Sequence, residues 1–265
     1  MKKTLAMILA LVMVLALSVP CFAEKENVGQ LVQLNATEEV LNEEFDEYSF
    51  VFFDDLASML LALESGKIGR IVSLPECVIN YIAKTNEKFA PQIRKNPCDC
   101  KFAMGTLAEN TEVFELLNSA IETLKENGTL EKLQKEYVDD LLESGEEPKA
   151  VELPVYPGAK TIKVAVTGDL PPVDYVAADG TPAGFNVALL AEISKLAKVN
   201  IELVQVNSAS RLMALTSGTA DAIFCFTNFV PGVEEYVELA STDIPDSVSV
   251  TADYYISPLA RMTLK

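Results

Sequence analysis

The chain has 265 residues, enough for one large domain or two small ones, with no histidine and a formal net charge of −18. This charge repels nucleic acid and anionic membrane surfaces, so we expect neither as a partner. The lack of histidine removes the commonest general base and metal ligand, so we expect no catalytic residue, no metal and no cofactor.

The first residues predict an export signal. Lys2 and Lys3 precede an uncharged, mostly apolar run over residues 5–19, which is too short for an ordinary membrane span. The small side chain of Ala23 is typical of a cleavage site. We expect cleavage after Ala23, a signal peptide over residues 1–23, and an exported, periplasmic or extracellular mature protein; an uncleaved anchor is the alternative.

An internal repeat predicts the fold class. Residues 60–72 and 212–224 each carry a short helical apolar pattern, a Ser-Gly stop and an apolar strand. Gly66 and Gly218 suit the left-handed conformation that ends a helix. Such helix–glycine–strand units are typical of α/β folds with mainly parallel sheets. The Ala-Leu-x-Ser-Gly motif that both segments share favours two related lobes.

Further elements follow in chain order. Apolar residues on one face predict a helix over residues 111–126, and the prolines, glycines and glutamates of residues 143–160 predict an extended linker. Residues 161–167 alternate like a strand. We expect Asn186 to cap a helix that runs through Lys198.

Four cysteines lie after the predicted signal peptide: Cys77, Cys98, Cys100 and Cys225. Their spacing matches no zinc-binding pattern. An exported protein can form disulfides, but cysteine is also among the most buried residue types, so free buried thiols remain an equal alternative.

Several segments resemble the periplasmic amino-acid-binding family, the extracellular receptors of ABC importers. Residues 161–226 resemble the opening of such a protein, including DGTPAGFNV over residues 179–187. Residues 251–265 resemble the strand that leads to the hinge, residues 100–138 the family's ending, and residues 28–97 its second lobe.

The resemblance implies a periplasmic-binding-protein-like α/β fold, with two lobes of mainly parallel sheet joined at a hinge. The segments stand in the wrong order, however, so we infer a circular permutation; a piece of a tandem array or a swapped pair of copies stays open. The expected divisions are the second lobe (24–98), the C-terminal part of the first lobe (99–142), the linker (143–160), and the N-terminal part of the first lobe with the hinge strand (161–265).

The resemblance also implies a receptor that binds a small polar solute between its lobes and delivers it to the membrane permease of an ABC importer. Alignment with the family's pocket gives these ligand-binding candidates: Thr37, Thr167, Asp169, Leu170, Cys225, Phe226 and Asn228. The returning strand and the third strand of the first lobe are neighbours in the family, which implies that Cys100 and Cys225 lie close enough to pair.

Both ionic anchors of an amino-acid site are missing from the expected positions. Val233 stands where the family has the arginine that holds the ligand carboxylate, and Leu74 where it has the acid that holds the ammonium group. Glu76 is a substitute for that acid or only a helix-start charge. A ligand without a free carboxylate, or no ligand at all, is the resulting hypothesis.

Two other functions remain as alternatives. Loss of both anchors also fits a degenerate or regulatory sensor domain without transport cargo. A dehydratase-type enzyme of related fold would need paired carboxylates for acid–base work, and Asp169 and Asp174 are the candidates.

Overall fold

The structure, a computed structural model, describes residues 25–32, 41, 45, 47–93, 99–229 and 244–265, with the backbone alone for 226–229. The predicted signal peptide, Thr37 and Val233 lie outside the described residues. The strands are β1 (Glu26–Leu31), β2 (Tyr48–Phe53), β3 (Arg70–Pro75), β4 (Phe89–Gln92), β5 (Asp99–Leu107), β6 (Thr161–Val166), β7 (Asp169–Leu170), β8 (Asp174–Val176), β9 (Pro182–Ala183), β10 (Asn200–Gln205), β11 (Ala222–Phe229), β12 (Val248–Val250) and β13 (Tyr255–Leu264).

In this described part of the chain, ten strands form one sheet in the order β10-β6-β11-β5-β13-β3-β1-β2, with β12 beside β5 and β4 beside β13. Its outer parts are parallel, because β6 lies between β10 and β11, and β1 between β2 and β3. We call β10, β6, β11, β5 and β12 the β6 half, and β2, β1, β3 and β4 the β1 half. Strands β7, β8 and β9 form a separate small antiparallel sheet.

Strand β13 belongs to both halves. Its first residues, Tyr255 to Pro258, pair antiparallel with β5, and its later residues pair antiparallel with β3 and β4. The chain thus passes from the β6 half into the β1 half without leaving the sheet. Residues 161–265 therefore pack on residues 99–107 of the same chain through three strands, β11, β12 and β13.

The helices cover both halves of the sheet. Their bounds are α1 (Leu56–Glu64), α2 (Glu76–Thr85), α3 (Thr111–Glu126), α4 (Thr129–Gln134), α5 (Asp140–Ser144), α6 (Phe185–Ala197) and α7 (Arg211–Thr216), with a π-helical turn (Lys135–Asp139) between α4 and α5 and a 3₁₀ turn (Ser208–Ser210) before α7. The predicted helix over 111–126 is confirmed as α3, whose buried side chains follow a helical period, as in Val113, Leu117 and Ile121.

The internal repeat is confirmed as helix–glycine–strand in both halves. Helix α1 leads through Gly66, at φ 73°, to β3, and α7 leads through Gly218, at φ 72°, to β11. These left-handed glycines end the helices because a residue with a Cβ disfavours that conformation. The mixed α/β fold class expected from the repeat is confirmed.

The predicted helix cap at Asn186 is wrong. Helix α6 begins one residue earlier, after Gly184, and its first N–H groups, those of Phe185 and Asn186, donate to the backbone carbonyls of Pro172 and Val173. These carbonyls accept from the first N–H groups of the helix, as a capping side chain would. The Asn186 side chain is therefore free for a different contact, and its Oδ1 accepts from the hydroxyl of Tyr254 at 2.8 Å.

Gly184 is required by this arrangement. Its φ of 87° and ψ of 178° fall in a region that is essentially restricted to glycine, and an added Cβ would meet the Pro172 oxygen at 2.7 Å. Gly180, at φ 85°, has nothing within 4 Å of such a Cβ.

We predict that Gly184→Ala lowers the free energy of unfolding by about 3 kcal/mol or more, because it combines backbone strain with a clash against carbonyls that cannot move cheaply. Gly180→Ala is the matched control, with a loss of about 1 kcal/mol from its positive φ alone. Urea unfolding followed by circular dichroism measures both. Equal losses would contradict the proposed close approach at Gly184.

Candidate functional site

A small, partly open cavity lies between the two halves of the sheet. Its volume is about 40 Å³, which is room for a few water molecules. The β1 half and its helix α2 contribute Leu31, Val32, Ser73, Leu74, Pro75 and Val78. The β6 half and the segments packed on it contribute Phe102, Ala165, Thr167, Leu170, Val173, Asp174, Asn186, Ser208, Arg211, Phe224 and Cys225. Both halves therefore build one site.

Asp174 presents a carboxylate to this cavity. It is 5% exposed, and its Oδ2 accepts from the Thr167 backbone N–H at 2.9 Å and from the Thr167 hydroxyl at 3.0 Å. Its Oδ1 is buried and has no hydrogen-bond partner. Burial raises the pKa of Asp174 above the ordinary aspartate value, and the nearby Asp169 charge adds to this. The two bonds from Thr167 and the backbone N–H of Gly168 act in the opposite direction on this pKa.

Arg211 brings a buried positive charge to the same wall. Its guanidinium donates to three backbone carbonyls, those of Ser208 at 3.2 Å, Phe224 at 3.0 Å and Val32 at 3.3 Å. Burial lowers the pKa of Arg211, and its electrostatic interactions with Cys225, Asp174 and Asp169 act in the opposite direction. The residue stays cationic at neutral pH because the ordinary pKa of arginine is so high.

Near the cavity, the described residues form three hydrogen bonds that cross between the halves. The backbone N–H of Leu56, at the start of α1, donates to Asp169 Oδ2 at 2.8 Å. The N–H of Ser208 donates to the Asp54 carbonyl at 2.9 Å, and the third bond is that from Arg211 to Val32. The carboxylate also suits the positive end of the α1 dipole. These bonds hold the halves together over the cavity.

The opposite wall is apolar and contains a strained residue. Leu74, where the family's acid is expected, is 1% exposed and lines the cavity. Ser73 beside it has φ 58°, which is uncommon for a residue with a side chain. Glu76 does not line the cavity; it begins α2, and its Oε1 accepts from the Asn80 side chain. In the structure Glu76 is thus a charge at the start of a helix and not part of the cavity wall.

The sequence-predicted site residues separate into three groups. Thr167, Leu170 and Cys225 line the cavity. Asp169 does not line it but makes the bond that crosses to α1. Phe226 and Asn228 are described only as backbone in β11, and Thr37 lies outside the described residues.

Sequence reasoning missed several residues of the cavity wall. Arg211, Ser208 and Asn186 were not ligand candidates, and Asp174 was considered only as a catalytic acid. The start of the second repeat helix gave the available signal, since Ser208 and Arg211 stand where a chain segment must enter α7 beside the carboxyl ends of parallel strands.

The predicted pairing of Cys100 with Cys225 is wrong. Strands β5 and β11 are neighbours, but Cys225 lies opposite Ala103 and Cys100 opposite Asn228. An odd number of residues separates the two positions, so the thiols point to opposite faces of the sheet. The Cys225 thiol is free and donates to the Ala103 carbonyl at 3.6 Å, and burial raises its pKa to about 12.

The fold is the mixed α/β class that the sequence predicts. Residues 162–251, about a third of the chain, match the family model of the bacterial extracellular solute-binding proteins, family 3. The resemblance to this family is confirmed over that segment. No match was found among curated protein sequences.

Several solved structures are similar to the chain at low identity. The GLUR0 ligand-binding core complex with L-glutamate is 10% identical at a TM-score of 0.43, covering 92% of this chain and 86% of that one. A putative L-cystine ABC transporter from Listeria monocytogenes is 12% identical at 0.40, covering 92% and 84%. The probable amino-acid ABC transporter extracellular-binding protein ytmK from Bacillus subtilis is 12% identical at 0.38, covering 91% and 84%.

We predict that Asp169→Ala moves the two halves apart and so opens the cleft, the space between the halves that contains the cavity. The substitution leaves the Leu56 N–H without its acceptor, which should lower the free energy of unfolding by about 1–2 kcal/mol and increase the radius of gyration in small-angle X-ray scattering. Asp169→Asn keeps an oxygen acceptor and should stay closer to the parent protein.

Asp55→Ala is the matched control for this test. The Asp55 side chain caps the same helix, α1, by accepting from the Ser58 N–H, but the bond lies within the β1 half. We expect a similar loss of stability with an unchanged radius of gyration. Equal expansion of both alanine variants would contradict the role of Asp169 in holding the cleft closed.

Proposed function

We propose that the protein is an exported solute-binding receptor that encloses a small solute between the two halves of its sheet, which act as two lobes. The observation that carries the proposal is the cavity between the halves, since both halves build its wall. The match of residues 162–251 to a family of solute-binding proteins supports it. Concave, largely apolar sites with a few polar groups are the usual form of small-molecule sites.

Binding requires the halves to separate and close again. The cavity of about 40 Å³ is smaller than a solute of amino-acid size needs, so entry must break the bonds that cross the cleft. Strand β13 is the connection about which the halves turn, because it is paired with both. Closure around a ligand by such hinge motion buries the ligand without covalent chemistry.

The proposed contact residues combine the cavity wall with the sequence-based candidates. Thr167, Leu170 and Cys225 contact the solute directly, and Asp169 acts by closing the cleft. The candidates Thr37, Phe226 and Asn228 complete the site by the family resemblance alone.

The remaining parts of the proposal concern location and partner. A protein exported by the predicted signal peptide would meet its solute outside the cytoplasm and pass it to the permease of an ABC importer. In the described residues, no helix has the length and apolar character needed to cross a membrane.

A second candidate function is a sensor that has lost its cargo. The specific observation in its favour is that the cleft is closed by the protein's own hydrogen bonds, with Asp169 on the α1 start. Such a domain would report through a membrane partner without solute transport.

We predict that at least one class of small solute raises the melting temperature. The panel contains α-amino acids, primary amines, carboxylates, amides and sugars; a ligand at a concentration 100 times its Kd should add about 2.7 kcal/mol to the stability. Leu170→Trp should abolish the effect by filling the cavity, whereas Leu196→Trp, at an exposed site on α6, should retain it. If no class stabilises the protein, the receptor function is overturned in favour of the sensor.

We infer further that the segment order is a circular permutation of the family's order. Strand β13 is antiparallel to β3 and β3 is parallel to β1, so the end of β13 and the start of β1 lie at the same edge of the sheet. Two strand spacings separate them, about 10 Å. A few residues would join them, and the predicted linker over residues 143–160 would then be dispensable as a bridge.

We predict that a rearranged chain folds to the same structure. It would run from residue 161 to 265, continue through a short Gly-Ser linker into residue 25, and end at residue 142. We expect a monomer with the circular dichroism spectrum and melting temperature of the parent. The same chain without residues 251–265 should fail to fold, because it lacks β13. A rearranged chain that folds only as a dimer would favour swapped copies instead.

A further inference from the structure

Asp174, which lines the cavity, has a buried side-chain oxygen without a hydrogen-bond partner. Among the described residues, the buried side-chain nitrogen and oxygen atoms without a hydrogen-bond partner are Asp169 Oδ1 and Asp174 Oδ1. Of these two residues only Asp174 lines the cavity. A buried carboxylate oxygen without a donor is costly, so its persistence at a cavity wall points to a donor that arrives from outside.

Three other polar side chains of the wall, those of Arg211, Thr167 and Asn186, already make hydrogen bonds within the protein. Arg211 donates to three carbonyls, the Thr167 hydroxyl donates to Asp174 Oδ2, and Asn186 Oδ1 accepts from Tyr254. The engaged groups fix the shape of the wall. Among the charged side chains of the wall, Asp174 has the oxygen, Oδ1, that is buried without a hydrogen-bond partner and can accept from a ligand.

Negative charges outnumber positive charges among the side chains of Asp169, Asp174 and Arg211. Asp169 and Asp174 are two carboxylates against the single guanidinium of Arg211, and both act on the ionisation of Arg211. A ligand that brings one positive charge would balance the group, whereas a carboxylate would increase the imbalance. Buried charges are tolerated when they are paired and hydrogen-bonded.

The rest of the wall is apolar and comes from both halves. Leu31, Leu74 and Val78 face the cavity from the β1 half, and Leu170, Val173 and Phe224 from the β6 half. This surface suits an alkyl or aryl body. Val233 stands where the family resemblance places the arginine that binds the ligand carboxylate, which favours a ligand without a carboxylate.

We propose that the cleft binds a primary amine with an apolar body and no carboxylate, whose ammonium group donates to Asp174 Oδ1. This inference rests on the proposed receptor function and names the ligand class of the same site. The ammonium group takes up the unused acceptor, the apolar body fills the widened cavity, and the cross-cleft bonds re-form around it.

The first test compares ligands of matched skeleton on the full mature protein. Isothermal titration is done with phenethylamine and hydrocinnamate, and with isoamylamine and isocaproate. Within each pair only the charged end differs. We expect each amine to bind about tenfold tighter or more than its carboxylate, as a charge-assisted hydrogen bond provides. Equal or tighter binding of the carboxylates overturns the amine assignment and leaves the receptor function standing.

The second test reverses the polarity of the acceptor. Asp174→Asn keeps an oxygen for the Thr167 bonds and places an NH₂ group where Oδ1 was. We expect amine affinity to fall by about tenfold or more while the carboxylate gains relative to the amine. A structural role alone would not invert this preference. Asp221→Asn is the control: Asp221 Oδ2 accepts from the Lys163 N–H, and the residue does not line the cavity.

The outcomes separate the two proposals. If Asp174→Asn does not fold, the paired ligands on the parent protein still decide the matter. Binding of a solute class other than amines, with no amine bound, overturns the amine assignment alone. Absence of binding by every class in the wider panel overturns the receptor function and the assignment together.

Discussion

The pairing of β13 with β5 is the constraint on which the rest of the structure depends. Tyr255 lies opposite Phe102, and the next three pairs carry the ladder to the point where β13 turns to β3. The rings of Phe102, Phe185, Tyr254 and Tyr255 pack around this crossing with centroids 5.2–6.2 Å apart. Phe102 and Asn186, which accepts a hydrogen bond from Tyr254, also line the cavity. The crossing therefore positions part of the cavity wall and also connects the two halves.

Asp169 and Asp174, which lie close together in the chain, make different contacts near the cavity. Asp174 is held by two bonds from Thr167, which fix its unused oxygen at the cavity wall. Asp169, five residues earlier in the chain, reaches instead across to the start of α1. The same local sequence therefore supplies a ligand acceptor and a closing contact, and the difference comes from which half each carboxylate faces.

The sequence predicted those features that are set by residues close together in the chain. The repeat ending at Gly66 and Gly218 and the helix over 111–126 follow from apolar spacing and glycine conformation. The Asn186 cap and the Cys100–Cys225 pair were wrong because their partners are decided by tertiary register: Asn186 meets Tyr254, 68 residues away. Arg211 escaped notice for the same reason, since its bond to Val32 spans 179 residues. No local pattern marks such contacts.

The closed cleft places a limit on how a solute can be recognised. Each cross-cleft hydrogen bond contributes about 1 kcal/mol net, so the bonds of Asp169, Ser208 and Arg211 together favour closure by a few kcal/mol. A ligand must enter an open form that these bonds make scarce, and its apparent affinity falls by the fraction of open protein. A solute that made only apolar contacts would regain little of the affinity that is lost because the open form is scarce. One that also satisfies Asp174 Oδ1 gains a charge-assisted bond in a dry site, and that bond exists only after closure. Recognition and closure are thereby coupled through a single buried oxygen.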